Sequence, residues 1–461
     1  MDTPAAPIPP FIAPPARQLP FWRALAAMRD NPIAGWPQAI YEQPVYLPPR
    51  RDFRLLYLCE PTALRTVLVD NAADFTKSPV WMGLLKPLLG EGLLTAEAES
   101  WRWQRQAAAP AFQPRRVEAC AEAIGAAADR AVSRWESEAA SAVRDIGAEL
   151  NTITFEVILD AMFGGRGEVD SAGMSQAFSA YLEALGRPSL FDLFGAPQWL
   201  KRFTAPAAHE AAAYLRRSVG EMIECRRRSP RRGDLYDALA EARDAKTGRA
   251  MSDGELCDNL LTFLAGGHET TALALTWSIF LVAIYPEVQA RIRAEVDAVA
   301  GEKAICANTA GELRFTRQVI QETMRLYPPL PALSRVAKRA GALAGEEVRR
   351  GDVVIVPIYA LHRHRLYWDN PDAFDPSRFA GGAGGRRYHY MPFGAGQRVC
   401  IGAAFAMLEA TILLAALVRR AQFTAIAPDL VRPKLRLALR PEGPLAVEVK
   451  ILPGERRRSA A

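Results

Sequence analysis

Phe393-Gly394-Ala395-Gly396-Gln397-Arg398-Val399-Cys400-Ile401-Gly402 is the stretch on which the reading of this 461-residue chain turns. A lone cysteine is most often a buried, inert thiol. Cys400 instead closes a glycine-rich loop directly ahead of a helical pattern, where amide N–H groups and the helix dipole favour an anion and draw a thiol toward thiolate. The glycines let backbone approach a flat ligand closely, and Phe393 supplies an aromatic surface beside it. Arg398, two residues before the cysteine, suits a carboxylate on that ligand. A thiolate that holds iron in a dry pocket needs all of these together.

Upstream of the loop, Ser252 as N-cap and Glu255 three residues on form a capping box that opens a helix. Nothing breaks the pattern before Pro286, which predicts roughly 33 helical residues and a length on the order of 50 Å. Its middle, Ala265-Gly266-Gly267-His268-Glu269-Thr270-Thr271, joins two glycines, a charge and two β-branched threonines, all poor helix formers. The stretch reads either as a tolerated weakness or as a local widening that makes room for a ligand. A second helix covers about residues 311–327 and stops at Pro328-Pro329. On it, Glu322 and Arg325 share a face at i and i+3, a pair that is usually a weak surface bridge. Trp101 and Arg105 stand four apart on another helical stretch, ordinarily a packed and solvated face. Residues 45–58 look like a hairpin, strands are expected near Val348 and over Val353–Pro357, and glycines and prolines in 160–206 predict loops.

The Cys loop resembles the haem-binding signature F-x-x-G-x-R-x-C-x-G of the cytochrome P-450 family and matches it at every fixed position. The resemblance runs from about residue 40 to 450, and Asn151–Gly164 and Leu437–Gly443 also look familial. It implies a mainly α fold with a smaller β-rich portion, and haem b between the long central helix and the Cys loop with its following helix. Cys400 is then the iron ligand. Phe393, Gly394, Gly402, Ala265 and Gly266 would line the haem, and Trp101, Arg105, Arg335 and Arg398 would bind its propionates. Thr270 and Glu269 match the family's oxygen-activation motif and would relay protons. Glu322 and Arg325 match its E-x-x-R pair, with Arg378 completing a buried structural network. His268 falls at a variable position and reads as a core- or solvent-facing histidine. Val80, Trp81 and Met82 would line the substrate pocket, with Leu330 and Leu333 and, at the far wall, Leu437 and Ala438. They favour an apolar substrate. Arg50 and Arg51 are weighed as a carboxylate anchor against plain surface solvation. Arg365 departs from the family, where proline is frequent, without consequence for the chemistry.

Composition agrees with an ordinary globular protein: 50% apolar and 23% charged residues, with a net charge of +6. The six cysteines are scattered, with no C-x-x-C pair, which fits a reducing cytoplasm. No dense Lys/Arg run interleaved with aromatics suggests nucleic acid, and apolar stretches interrupted by Asp258, Glu269 or Glu409 read as buried helices rather than a membrane anchor. The first 38 residues form a proline-rich lead, extended or disordered, ahead of a single haem domain over 39–461. There is no dinucleotide fingerprint after a strand and no P-loop. Electrons from NAD(P)H are therefore expected through a ferredoxin or flavodoxin-type donor and its reductase, docking near Arg386, Arg387 and Arg398, and the chain is expected to act as a monomer. A peroxide-driven oxygenase or isomerase, or a non-catalytic haem sensor, are the competing readings; the intact Glu269-Thr270 pair argues against both.

Overall fold

The computed structural model describes residues 8–48, 55–162, 164–165, 170–185, 206–382 and 387–453. Its longer helices are α1 (Phe21–Asp30), α2 (Pro79–Leu89), α3 (Ala98–Ala108), α4 (Ala121–Glu138), α5 (Ile146–Met162), α6 (Ser171–Leu185), α7 (Pro206–Arg227), α8 (Asp253–Ile284), α9 (Pro286–Ala300), α10 (Arg314–Leu326) and α11 (Ala403–Arg420). The mainly α architecture is the one expected. α8 is its spine. Ser252 Oγ accepts from Glu255 N while the Glu255 carboxylate accepts from Ser252 N, so the capping box is formed, and Pro286 starts the next helix after 32 residues. α8 is buried on nearly every side and packs on α5, α7 and α11, which explains why it lacks an amphipathic pattern. Among the described residues it is the one helix long and apolar enough to cross a membrane, and 83% of that apolar stretch is buried inside the protein.

The glycine- and threonine-rich middle of α8, read as a tolerated weakness or a local widening, does not interrupt the helix, which is continuous through residues 265–271. The Thr270 and Thr271 hydroxyls donate to the carbonyls of Gly266 and Gly267 at 2.7 and 3.0 Å. Gly267 has a packing reason instead, since a Cβ there would lie 2.4 Å from Ile158 Cδ1 on α5.

The strands are β1 (Val45–Tyr46), β2 (Leu55–Leu58), β3 (Phe75–Thr76), β4 (Ser141–Asp145), β5 (Leu333–Ala337), β6 (Gly341–Leu343), β7 (Glu346–Val348), β8 (Val353–Val356), β9 (Ala421–Ala425), β10 (Pro433–Leu435), β11 (Leu439–Pro441) and β12 (Ala446–Ile451). The predicted hairpin is present, with Val45 opposite Leu58; the residues of its turn, Arg50 and Arg51 included, lie outside those described. β1 and β2 join a five-stranded sheet in the order β1-β2-β8-β5-β3, where β2 and β8 run parallel. A smaller core of Leu56, Leu58, Leu64, Val354 and Val356 underlies this sheet, apart from the large helical core. The other strands form a three-stranded sheet, β4-β12-β9, and two hairpins, β6-β7 and β10-β11.

Two expectations are corrected. Within 160–206, α6 is a regular helix, because Met174, Phe178, Tyr181 and Leu182 recur at helical spacing and are all buried. The first 38 residues are also less of a lead than composition suggests. α1 lies within them, Ile33 is fully buried, and Ile12 is buried in an extended segment. That segment is held in place: Tyr327 Oη donates to Pro10 O at 2.6 Å and Ile12 N donates to Tyr359 Oη at 3.0 Å.

Candidate active site

The Cys loop runs from Phe393 into α11. Cys400 N donates to Phe393 O at 3.0 Å, and Gly394 and Gly396 turn the chain with positive φ. Gly396 admits no side chain, since a Cβ there would meet Leu68 O at 1.9 Å. Cys400 is walled by protein on most sides yet keeps an open surface. Burial pushes its thiol up, opposed by the Gly402 N–H and the charge of Arg105. The expected pull toward thiolate is present in the Gly402 N–H, but α11 begins three residues later and in the protein alone desolvation outweighs it.

Four expected residues gather on one side of this loop. Trp101 and Arg105 come from α3, Arg335 from β5 and Arg398 from the loop itself. Arg398 Cζ lies 4.4 Å, and Arg105 Cζ 5.9 Å, from the centroid of the Trp101 ring. Arg398 donates to Ala96 O at 2.9 Å and to the Glu97 carboxylate at 2.8 Å. Arg335 donates to the neighbouring Ser334 O. Burial holds all three arginines below their ordinary values. Among the described residues no carboxylate stands within ion-pair distance of Arg105 or Arg335, and Glu97 alone faces Arg398. Three part-buried guanidinium groups served by one acid leave positive charge that a further anion can match. The open thiol, the under-partnered arginines and the glycine backbone together fit haem.

On α8, Ala265 is half-buried and Gly266 exposed although the helix is the spine of the core, and a Cβ on Gly266 would meet nothing within 4 Å. Thr270, one turn on, is half-buried as well. Glu269 turns away from that open face: its carboxylate is buried and forms an ion pair with Arg440 of β11. Burial raises its carboxyl, opposed by Arg440. Beside this pair lies a cavity of about 220 Å³, whose polar walls include Asp145, Asn151, Ser179 and His268. His268 is the core histidine of the two expected options, packed between Phe155 and Phe178, with burial lowering it to about 4. A larger surface cavity of about 570 Å³ opens elsewhere, beside α3 and residues 231–245, and none of the expected site residues lines it.

The Glu322–Arg325 pair is no surface bridge. Both side chains are fully buried at 2.7 Å, and Arg378 Nε lies 3.4 Å from the same carboxylate. Asp375 N also donates to it at 2.9 Å.

Some of the residues expected at the substrate are brought near one another or to the Cys loop. Leu333 reaches the Cys loop at Gly394, and Leu439 N donates to Pro329 O at 2.9 Å, which brings the Leu437–Ala438 segment to Leu330. Leu330, Val80 and Trp81 expose 41, 37 and 37% of their surface. Met82, Leu333 and Leu437 are half-buried, and Ala438 is buried, a wall component by its backbone at most. As for electron-donor docking, Arg387 is exposed, Arg386 lies outside the described residues, and Arg398 is occupied inside the site rather than free for a partner. Sequence reading missed Arg440 and Lys77. Arg440 sat in a familial segment, whereas nothing marked Lys77, whose ammonium donates to Leu94 O and Ala96 O.

The profile of the cytochrome P-450 family matches residues 46–449, and the chain belongs to that family. It is thus a cytochrome P-450 monooxygenase, a haem-iron enzyme. The chain is similar to "Cyclooctatin synthase" of Streptomyces melanosporofaciens, 32% identical over 92% of this chain and 95% of that protein. It is also similar to "Cyclooctat-9-en-7-ol 5-monooxygenase" of the same organism, 30% identical over 88% of this chain and 90% of the relative. "Pentalenene oxygenase" of Streptomyces avermitilis is 31% identical over 81% of this chain and 83% of its own length.

Proposed function

We propose that this enzyme inserts one atom of dioxygen into a compact, hydrocarbon-rich substrate, with two electrons from NAD(P)H delivered by a separate ferredoxin or flavodoxin-type protein. The balance is substrate C–H, dioxygen, two electrons and two protons giving alcohol and water. The observation that carries this reading is the set of under-partnered arginines beside an open Cys400 thiol. Cys400 would hold the iron, and Trp101, Arg105, Arg335 and Arg398 the two propionates, with bidentate guanidinium groups suited to carboxylates. Phe393, Gly394 and Gly402 would support the ring from the cysteine side, and Ala265 and Gly266 would leave its other face open. Bound there, haem supplies the dioxygen activation and the oxygen transfer.

The chain's own residues supply orientation, dryness and protons. Thr270 Oγ1, bonded back to Gly266 O, keeps an acceptor lone pair on the open face of α8. Glu269, raised by burial and paired with Arg440, would hold a proton more readily than an ordinary carboxyl and would reach Thr270 on swinging away from Arg440. The apolar side chains of Val80, Trp81, Met82, Leu330, Leu333 and Leu437 favour a substrate with few polar groups, in keeping with the alkene and the alkenol in two relatives' names. The enzyme would work in the cytoplasm as a monomer, and Arg387 offers a cation to an acidic donor.

The test is the absorbance spectrum of the dithionite-reduced protein under carbon monoxide, for wild type and Cys400→Ala. A strongly red-shifted Soret band that the variant lacks is expected. A band only at shorter wavelength in the wild type, or a preparation that takes up no haem, would overturn the assignment of Cys400.

A further inference from the structure

The wall that carries Val80 and Trp81 is a closed loop. Lys77 lies just before Ser78, the N-cap of α2, and its ammonium reaches past that helix to the chain beyond. It donates to Leu94 O, 17 residues on, and to Ala96 O, 19 residues on, the latter at 3.2 Å. Its side chain is 13% exposed and stands 3.9 Å from the Glu97 carboxylate. Ala96 O and Glu97 are also acceptors of Arg398. Residues 94–97 therefore join the α2 wall to the carboxylate-binding arginines. The preceding residues are fixed to α8: Glu91 N donates to Asp258 and Leu93 N to Asn259, at 2.9 and 3.0 Å. A Cβ on Gly92 would lie 2.5 Å from Asp258 O, so the chain there runs tight against that helix.

We propose that Lys77 is a positioning residue, a staple that couples filling of the arginine-lined carboxylate site to closure of the wall formed by α2 and residues 90–97. The inference rests on the haem-binding reading above. Charge around the ammonium is unbalanced: Arg398 of the Cys loop, Arg335 of β5 and Lys86 of α2 oppose it, and Glu97 supports it. Burial first, and Arg398 next, bring Lys77 down to about 7. Near neutral pH it thus divides between an ammonium that binds both carbonyls firmly and an amine that binds them weakly. Two carboxylates beside Arg335 and Arg398 would offset the charges that push it down and keep it protonated, and the staple shut.

The experiment is backbone hydrogen exchange over residues 90–97, read by mass spectrometry with and without haem at about pH 6 and about pH 8, after correction for intrinsic pH dependence. Wild type, Lys77→Met and Lys77→Arg are compared, and haem uptake is followed by absorbance. In the wild type, haem is expected to slow exchange by about tenfold at the higher pH and by less at the lower. Lys77→Met should take up haem with little change in exchange at either pH. Lys77→Arg, charged throughout, should show slow exchange at both. Wild-type exchange that ignores haem while absorbance shows it bound would overturn the staple, as would a Lys77→Met protein that behaves as wild type. If Lys77→Met binds no haem, the wild-type pH comparison decides. A wild type that takes up no haem overturns the underlying reading instead.

Discussion

Replacing Glu322 by alanine removes the carboxylate that Arg325 and Arg378 share. Arg325 loses two hydrogen bonds, both 2.7 Å, and keeps those to His362 O, Pro371 O and Ala373 O. What remains is a guanidinium with no exposed surface and no counter-charge from its own helix, and an Asp375 N–H without its acceptor. Breaking a buried pair by removing one partner costs about 3–5 kcal/mol, and the loss at Asp375 places this variant in the upper half of that range. At about 2 °C per kcal/mol, the low end for long chains, the midpoint should fall by roughly 8–10 °C. Thermal unfolding followed by circular dichroism reads this directly. The deficit should persist at high salt, because buried charges are poorly screened. Glu322→Leu combined with Arg325→Met should recover part of the loss, since the fully buried guanidinium goes with its partner while Arg378 and the Asp375 N–H still lack the carboxylate. A cost below about 1 kcal/mol for Glu322→Ala, the range of an exposed pair, would refute the reasoning.

Thr270→Ala should leave haem binding and electron consumption in place while product per electron pair falls by about tenfold or more and peroxide accumulates; unchanged coupling, measured as product against NAD(P)H consumed, would remove Thr270 from the proton path. Burial pushes the Glu409 carboxyl well above its ordinary value, opposed by Thr271. A carboxyl raised on folding takes stability away as pH climbs from its unfolded value of about 4.3 upward. Glu409→Gln should therefore gain on the wild type progressively with rising pH, and parallel stability–pH curves would count against it. His268 has the opposite sign: lowered from 6.5 to about 4, it contributes stability above pH 6.5 that is lost as pH falls through about 4. His268→Phe, sized for the space between Phe155 and Phe178, should flatten that acid limb of the melting profile.

Where the signal was local, the sequence was readable. The Ser252–Glu255 capping box, the Pro286 stop, the Val45–Leu58 hairpin and the Glu322–Arg325 spacing are all short-range patterns, and each has its structural counterpart. The Cys loop was legible because so many separate requirements fall within ten residues. Features set by distant contacts were not. Gly267 looked like a weak point in a helix, yet its reason is Ile158 on another helix. Arg440 meets Glu269 across 171 residues, and Lys77 closes a loop that no periodicity announces. α6 was hidden by the glycines and prolines on either side of it, although its own apolar spacing is regular. At Cys400 a sequence shows which amides are near but not how much water is missing, and burial there outweighs the Gly402 N–H.

The docked proline-rich segment bears on how the enzyme should be handled. Tyr327 and Tyr359 are fully buried, and Trp277 of α8 stacks on Tyr327 at 4.1 Å. The hydroxyls of these tyrosines are matched by Pro10 O and Ile12 N, more than 300 residues earlier. A truncation ahead of α1, tempting to anyone who takes prolines for a dispensable tail, would open a hydrated seam down to the ring beneath the spine helix. The trimmed enzyme would express as a more soluble-looking sequence and age as a leakier protein.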